Sequence, residues 1–525
     1  MSDHDEVNPV FRKPVYVSLG CHLDGAALPH PDCWDPLTAQ AGVVKRLAFK
    51  NPDPNAQRMA RFGRFVDRWL KENMVPLPAD VDCSVDTWLN ETNYPKWRKE
   101  QLRVKWEKIQ SMENLTQRDF LVKSFMKDEG YSEWKHGRGI NSRTDEFKCA
   151  VGPIFKLIEK ALFKNRHFIK YVPVSDRPRV IRERLQRLAG VYVATDYTSF
   201  ESMFTEEFMQ NCEFKLYEYM TRELPQGSFF MGLLRRVLGG ANSCMWRWFT
   251  VLVHATRMSG EMCTSLGNGF SNLMLMLFLA EELSSEVDGF VEGDDGIFSF
   301  SGVVPTKEDF ASLGATIKLE VHNKLSAASF CGIVFDEVDQ VNLTDPLKVL
   351  AKFGFANHKY AGVRSKKILM LLRCKSLSLA YQCPQCPILQ SLAWYGLRVT
   401  HGVRNYLEGW VLKNGPQGLS EWEREWLLEA IRNVDISKRA PIGIGSRQVV
   451  ESLYGISIDY QIKTEDYLDN KADLSPLCLP DLLRIVPVAW TDYWNTYMRE
   501  THVGDSLINE PVLSLGTYTG WCREW

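Results

Sequence analysis

Carboxylates placed at the ends of short strands constrain this chain more than any other feature. Val287 to Phe300 reads as two short strands folded back around Gly293-Asp294-Asp295-Gly296, and Val191-Tyr-Val-Ala-Thr195 is a β-rich run ending at Asp196. Carboxylates brought together from separate strands suit a pair of Mg²⁺ ions bridging attacking and leaving oxygens in phosphoryl transfer. An Asp-Asp pair on a tight turn also has an ordinary explanation, because Asp favours turns. Upstream stands Ser259-Gly260, then a helical segment on which Thr264 and Asn268, four apart, share one face. Polar groups so placed can read a sugar hydroxyl.

Over its whole length the chain is nearly neutral, 63 Lys and Arg against 65 Asp and Glu, which argues against a basic nucleic-acid packaging tail. Its segments are not neutral. Residues 96–190 hold 23 basic and 12 acidic side chains, whereas residues 191–340 hold 9 and 21. A basic stretch suits a polyanion and an acidic one suits divalent cations, so together they suggest an enzyme that handles phosphates through metals. Two solvated faces are the alternative. The chain has no P-loop pattern and no internal repeat.

The string Arg257-Met-Ser-Gly-Glu-Met-Cys-Thr-Ser-Leu-Gly-Asn268 closely resembles motif B of tombusvirus-like RNA-dependent RNA polymerases, and Val291-Glu-Gly-Asp-Asp295 resembles their motif C. Asp196-Tyr-Thr-Ser-Phe-Glu201 is similar to motif A, Leu313-Gly-Ala-Thr-Ile-Lys-Leu-Glu320 to motif D and Phe330-Cys-Gly332 to motif E. Phe125-Met-Lys127 with Arg138-Gly-Ile-Asn-Ser-Arg143 resembles motif F, inside the basic segment. The resemblance covers about residues 120–335. It departs in motif A, where the family usually carries D-x4-D and this chain carries Asp196-x4-Glu201. Glu201 then either takes part in ribose selection or simply opens the following helix.

The resemblance implies an α+β right-hand polymerase with fingers, an antiparallel palm sheet with packed helices, and a mainly helical thumb. On that basis residues 1–120 are the N-terminal region and fingers, 121–190 fingers with the basic NTP-entry motif, 191–207 palm, 208–255 a fingers insertion, 256–340 palm and 341–525 thumb. Asp196, Asp294 and Asp295 are the implied ligands of two Mg²⁺ ions, with Mn²⁺ as a substitute. Lys318 is the implied proton donor to pyrophosphate, Lys324 being the alternative. Lys127, Arg138 and Arg143 would neutralise the triphosphate, and Ser259, Gly260, Thr264, Asn268 and Glu201 would face the nucleotide and its ribose. Implied partners are an RNA template and nascent strand, NTPs and other viral replication proteins, in membrane-associated complexes of the host cytoplasm.

Several features admit other readings. Leu224-Pro-Gln-Gly227 matches a reverse-transcriptase motif, but 67 residues separate Gly227 from Asp294, so a turn between helices is expected instead. A degenerate polymerase kept as an RNA-binding scaffold is the second alternative, disfavoured by the intact acids. Arg177-Pro-Arg179 and Arg182 either touch template phosphate or lie on an exposed loop. Cys383-Pro-Gln-Cys386 is half a zinc site, with only Cys374 and His401 to complete it, or a turn bearing two small hydrophobes.

The 13 cysteines show no framework spacing, the start MSDHDEVNPVFRKP lacks the apolar core of a signal peptide, and the apolar run Leu273–Ala280 is too short to span a bilayer. A soluble chain with reduced thiols is expected. Helices are expected around Phe62, Phe65, Val66 and Trp69, over Trp97–Met112 and Gly152–Phe163, and later over Lys366–Leu379, Trp422–Arg432 and Leu482–Met498. Trp490, Trp494 and Tyr497 read as core. Tyr518, Trp521 and Trp525 read as a surface on which an initiating nucleotide could stack.

Overall fold

A computed structural model describes residues 15–498, apart from 189, 414, 417, 418, 420 and 436. Tyr518, Trp521 and Trp525 lie outside the described residues. The chain divides into two compact units: one comprises Gly42–Met126 and Arg138–Thr344, the other Met1–Ala41, Lys127–Gly137 and Asp345–Trp525.

The first unit begins in the last turn of α1 (Pro36–Arg46). Helix α2 (Ala56–Asn73) is capped by Asn55, whose side chain accepts from the Arg58 amide, and it buries Phe62, Phe65, Val66 and Trp69 on one stripe as their spacing predicts. A helix over Lys96–Ile109 ends at Gln110, whose φ of 59° stops it short of the expected Met112. Helix α3 (Asp145–Leu162) starts well before the expected Gly152. Thr144 caps it by accepting from the Phe147 amide, and Asp145 and Glu146 complement the positive end of its dipole.

Two four-stranded sheets follow from the β-rich runs. The first has the order β2-β1-β4-β5, from β1 (Val122–Met126), β2 (Gly139–Arg143), β4 (Ala241–Met245) and β5 (Thr250–His254), with β1 and β4 parallel. The second has the order β6-β7-β3-β8, from β3 (Val191–Tyr197), β6 (Glu286–Glu292), β7 (Asp295–Ser301) and β8 (Ile317–His322), and is antiparallel throughout. Between β3 and β4 in sequence, α4 (Glu213–Thr221) and α5 (Gly227–Val237) are joined by the expected turn, in which the Leu224 amide donates to the Thr221 carbonyl and Gly227 to Leu224. Helix α6 (Thr264–Glu282) is buried along most of its length, which accounts for the apolar run Leu273–Ala280 as core. No helix among the described residues is long and apolar enough to cross a membrane.

In the second unit, Tyr16–Ser18 pairs antiparallel with Phe355–Asn357. Among its other described residues helices predominate, including α7 (Ser365–Gln382), α8 (Leu389–Val399), α9 (Glu421–Asn433) and α10 (Ile458–Asn470), so the expected helices over Lys366–Leu379 and Trp422–Arg432 are present and slightly longer. Leu482–Met498 is not one helix. Pro487 has no amide to donate and disfavours helix in the residue before it, so the segment breaks into Pro480–Leu483, Val488–Tyr493 and a π-helical turn, Trp494–Met498. Trp490 and Trp494 are buried, and Trp490 Nε1 donates to the Ser132 carbonyl at 2.8 Å.

Three separate stretches of chain meet in this unit at Asp128. His30 Nε2 stands 2.9 Å from its Oδ1 and His358 Nδ1 2.7 Å from its Oδ2. Burial works against the charge of Asp128, but the two imidazoles outweigh it and hold the carboxyl well below the usual carboxylate range. Cys383 and Cys386 are both buried in a turn where the Cys386 amide donates to the Cys383 carbonyl, and among the described residues no further His, Cys, Asp or Glu side chain joins them in a group that could hold a metal ion.

Candidate active site

The register of the second sheet aligns the acidic residues. Thr195 on β3 pairs with Gly296 on β7, so Asp196 is level with Asp295 one step farther on, while on its other side Asp196 pairs with Lys318 on β8. Residues level on adjacent strands point to the same face, so Asp196, Asp295 and Lys318 form one row. Gly293 makes the turn between β6 and β7 with a φ of 62°, a conformation that costs glycine nothing, and Asp294 follows it at the tip.

Asn272 on α6 fixes this turn. Its Nδ2 donates to the carbonyl of Asp294 at 3.0 Å, and its Oδ1 accepts from Tyr197 OH at 3.2 Å, tying the end of β3 to the turn through a fully buried amide. The sequence carried a signal for it: Asn272 continues the four-residue spacing of Thr264 and Asn268.

Asp196, Asp294 and Asp295 keep surface open to solvent, yet Asp294 and Asp295 sit deep enough among neighbouring groups to lose part of their hydration. Burial pushes the Asp295 carboxyl up to about 7, with Asp294, Asp196 and Glu292 adding repulsion. Asp294 is also raised, first by burial and further by Glu201, while Arg138 and Arg46 draw it back. Among the described residues no three His, Cys, Asp or Glu side chains are grouped as a ready-made metal cage. Mg²⁺ seldom uses such a cage. It takes one or two carboxylates and completes its shell with substrate phosphates and water, so hard oxygen donors with excess negative charge fit it.

The Ser259-Gly260 segment docks on β2. Ser259 Oγ donates to the Gly139 carbonyl at 3.1 Å and accepts from the Asn141 amide at 3.2 Å, and the Gly260 amide donates to the Asn141 carbonyl at 2.8 Å. A Cβ on Gly260 would come within 2.8 Å of that carbonyl oxygen, so glycine is required by the close approach. Thr264 Oγ1 donates to the Met258 carbonyl at 3.1 Å and closes the loop before α6. Asn268 Oδ1 accepts from Arg257 Nε at 3.2 Å, which leaves its amide N–H group to offer. Arg257 is itself wholly buried, paired with Glu213 and stacked 4.2 Å above the Phe204 ring. Glu213 did not stand out in the sequence, and Arg257 did so only as the first residue of the motif B string.

The basic residues expected at the triphosphate fare differently. Arg138 is exposed and its charge acts on Asp294. Arg143 does not face a nucleotide: its side chain is 2% exposed and donates to Glu261 at 2.7 Å, the Phe120 carbonyl at 2.6 Å and Asn242. Strand alternation turns Arg143 inward because the buried positions of β2 are Asn141 and Arg143. Lys127 belongs to the other unit, where it pairs with Glu129 at 2.8 Å. Lys318 is exposed and pairs with Glu320 at 2.7 Å. Arg177 is turned inward as well, onto the Val172 carbonyl and Glu292, and so is no exposed phosphate contact.

Residues 147–395 match the family of viral RNA-dependent RNA polymerases. Over this segment the chain is similar to a viral RNA-dependent RNA polymerase domain. The protein is accordingly an enzyme of the nucleotidyltransferase class, acting on RNA and NTPs. The polymerase match runs from α3 to α8 and takes in β3, β6, β7 and β8 with all three aspartates, whereas β1 and β2 precede it. No curated protein matches the chain.

Proposed function

We propose that this polymerase copies a viral RNA genome by two-metal nucleotidyl transfer, and that it is of the tombusvirus-like kind whose motif strings it resembles. The observation that carries the proposal is the row formed by Asp196 and Asp295 on adjacent strands with Asp294 at the neighbouring turn. Asp196 and Asp294 would hold two Mg²⁺ ions, with Asp295 assisting. When bound, the ions would neutralise the phosphates and favour ionisation of the primer 3′-hydroxyl. The 3′-oxygen attacks the α-phosphorus in line, the new P–O bond forms, and the bond to pyrophosphate breaks.

Arg138, beside Asp294, would meet the triphosphate. Lys318, level with Asp196, would hold at Nζ the proton that pyrophosphate takes as it leaves. Asn268 and Glu201 would meet the ribose, with Ser259, Gly260 and Thr264 shaping the loop that presents Asn268. On this proposal the β6-β7-β3-β8 sheet and α6 are the palm, and the helices after residue 341 are the thumb. Replication would take place in the host cytoplasm at membranes, reached through other viral proteins.

The test is extension of a primed RNA template with NTPs or dNTPs, with and without Mg²⁺. Extension should require Mg²⁺ and NTPs, and Asp294→Asn should abolish it while leaving RNA binding intact. Extension that survives Asp294→Asn overturns the assignment, and efficient use of dNTPs would favour reverse transcription.

A further inference from the structure

Glu201 carries one methylene more than an aspartate, and a small pocket opens beside it, lined by Arg46, Leu47, Gly139, Asn141 and Trp246 among others. Arg46 Nη1 stands 3.8 Å from Glu201 Oε2, with the two side chains 25% and 19% exposed. An ion pair that long and that wet adds little to stability. The end of α1 is held to the turn after β3 without it. Ser199 Oγ donates to the Lys45 carbonyl at 2.9 Å, Asn51 Nδ2 donates to Ser202 Oγ at 2.8 Å, and Thr316 Oγ1 donates to Asn51 Oδ1 at 3.1 Å.

These bonds place the Arg46 guanidinium beside the Glu201 carboxylate. The Glu201 carbonyl is meanwhile fixed by the Arg257 amide at 2.9 Å, so the backbone is set and the carboxylate end is what remains to be placed. A glutamate has an extra rotatable bond over an aspartate, and an acid meant to accept from a sugar hydroxyl has to be held in one rotamer to discriminate.

We infer that Arg46 is a positioning residue for ribose selection: it holds the Glu201 carboxylate at the pocket so that the longer acid meets the sugar hydroxyls of an incoming ribonucleoside triphosphate. The inference rests on the polymerase site proposed above. It gives the departure from the D-x4-D pattern a compensating partner, contributed by a helix far away in sequence.

The test compares ATP with 2′-deoxy-ATP, incorporated singly opposite the same template uridine, as the ratio of kcat/KM values. Arg46→Met should lower that ratio about tenfold, as loss of one hydrogen-bonding constraint on a hydroxyl does, and Arg46→Lys should retain most of it. In a Glu201→Gln background the further change Arg46→Met should shift the ratio less than about twofold, because the two residues act in series. An unchanged ratio in Arg46→Met overturns the inference. So does an equal loss for both nucleotides, which would assign Arg46 to the triphosphate or the fold, and so does a full further drop in the Glu201→Gln background. Failure of the polymerase site itself is distinguishable, because Asp294→Asn would then still extend the primer.

Discussion

Replacing Arg143 by Ala separates a nucleotide-binding role from a structural one. The guanidinium is enclosed, and Glu261, the acid it pairs with, is only 4% exposed. Removing it strands the Glu261 carboxylate, the Phe120 and Val237 carbonyls and the Asn242 amide oxygen together. Breaking one side of a buried ion pair costs about 3–5 kcal/mol. At about 2–4 °C per kcal/mol for a unit of this size, that is a fall in Tm of roughly 6–20 °C. The bond also joins β2 to the loop before α6, so the loss should fall on the first unit. Thermal unfolding of parent, Arg143→Ala, Glu261→Ala and the double variant gives the answer: the double variant should lose less than the sum of the singles. The NTP KM, measured where all are folded, should change by no more than about threefold. A variant that melts with the parent but shows a strongly raised NTP KM would refute this account and return Arg143 to the triphosphate.

Burial holds the His167 imidazole down to about 4, helped by the Arg184 and Arg166 charges against the Gly289 carbonyl and Asp288. Because the unfolded chain takes up that proton near pH 6.5 and the folded one does not, stability should be full above about pH 6.5 and fall on acidification, by about 2 kcal/mol at pH 5. Unfolding of His167→Gln at pH 7.5 and pH 5 should show that this loss is absent, and an unchanged pH dependence would contradict it. Asn272→Ala leaves the Asp294 carbonyl and the Tyr197 hydroxyl without their shared partner, and should cost about 1–3 kcal/mol while lowering kcat more than it raises the NTP KM. An effect confined to KM would mean that Asn272 does not hold the turn.

Strand ends, the hairpin and the helical stripes were legible because they rest on local chemistry. Gly293 turns and β-branched runs extend whatever the rest of the chain does, so the alignment of Asp196 with Asp295 needed only the right register. The first-unit helix starts were less legible, because Thr144 caps α3 from a position that periodicity does not mark. Least legible were the charges. Arg143 and Arg138 look alike in a basic segment, and only strand alternation with its packing sends one inward and leaves the other exposed. Arg46 and Glu213 gave no signal, because each acquires its role from a partner far away in sequence.

The meeting of His30, Asp128 and His358 bears on the order in which the chain can be completed. A ribosome delivers the whole of the first unit, through Thr344, before it has made His358. Until then the excursion Lys127–Gly137, which leaves β1 and returns as β2, has only His30 to answer Asp128. Closing the 230-residue interval from Asp128 to His358 costs little more entropy than a far shorter loop would, since that cost grows only with the logarithm of length. Time is the larger cost: the second unit waits for the last third of the chain, so a first unit that is already complete coexists during synthesis with a half-built second one.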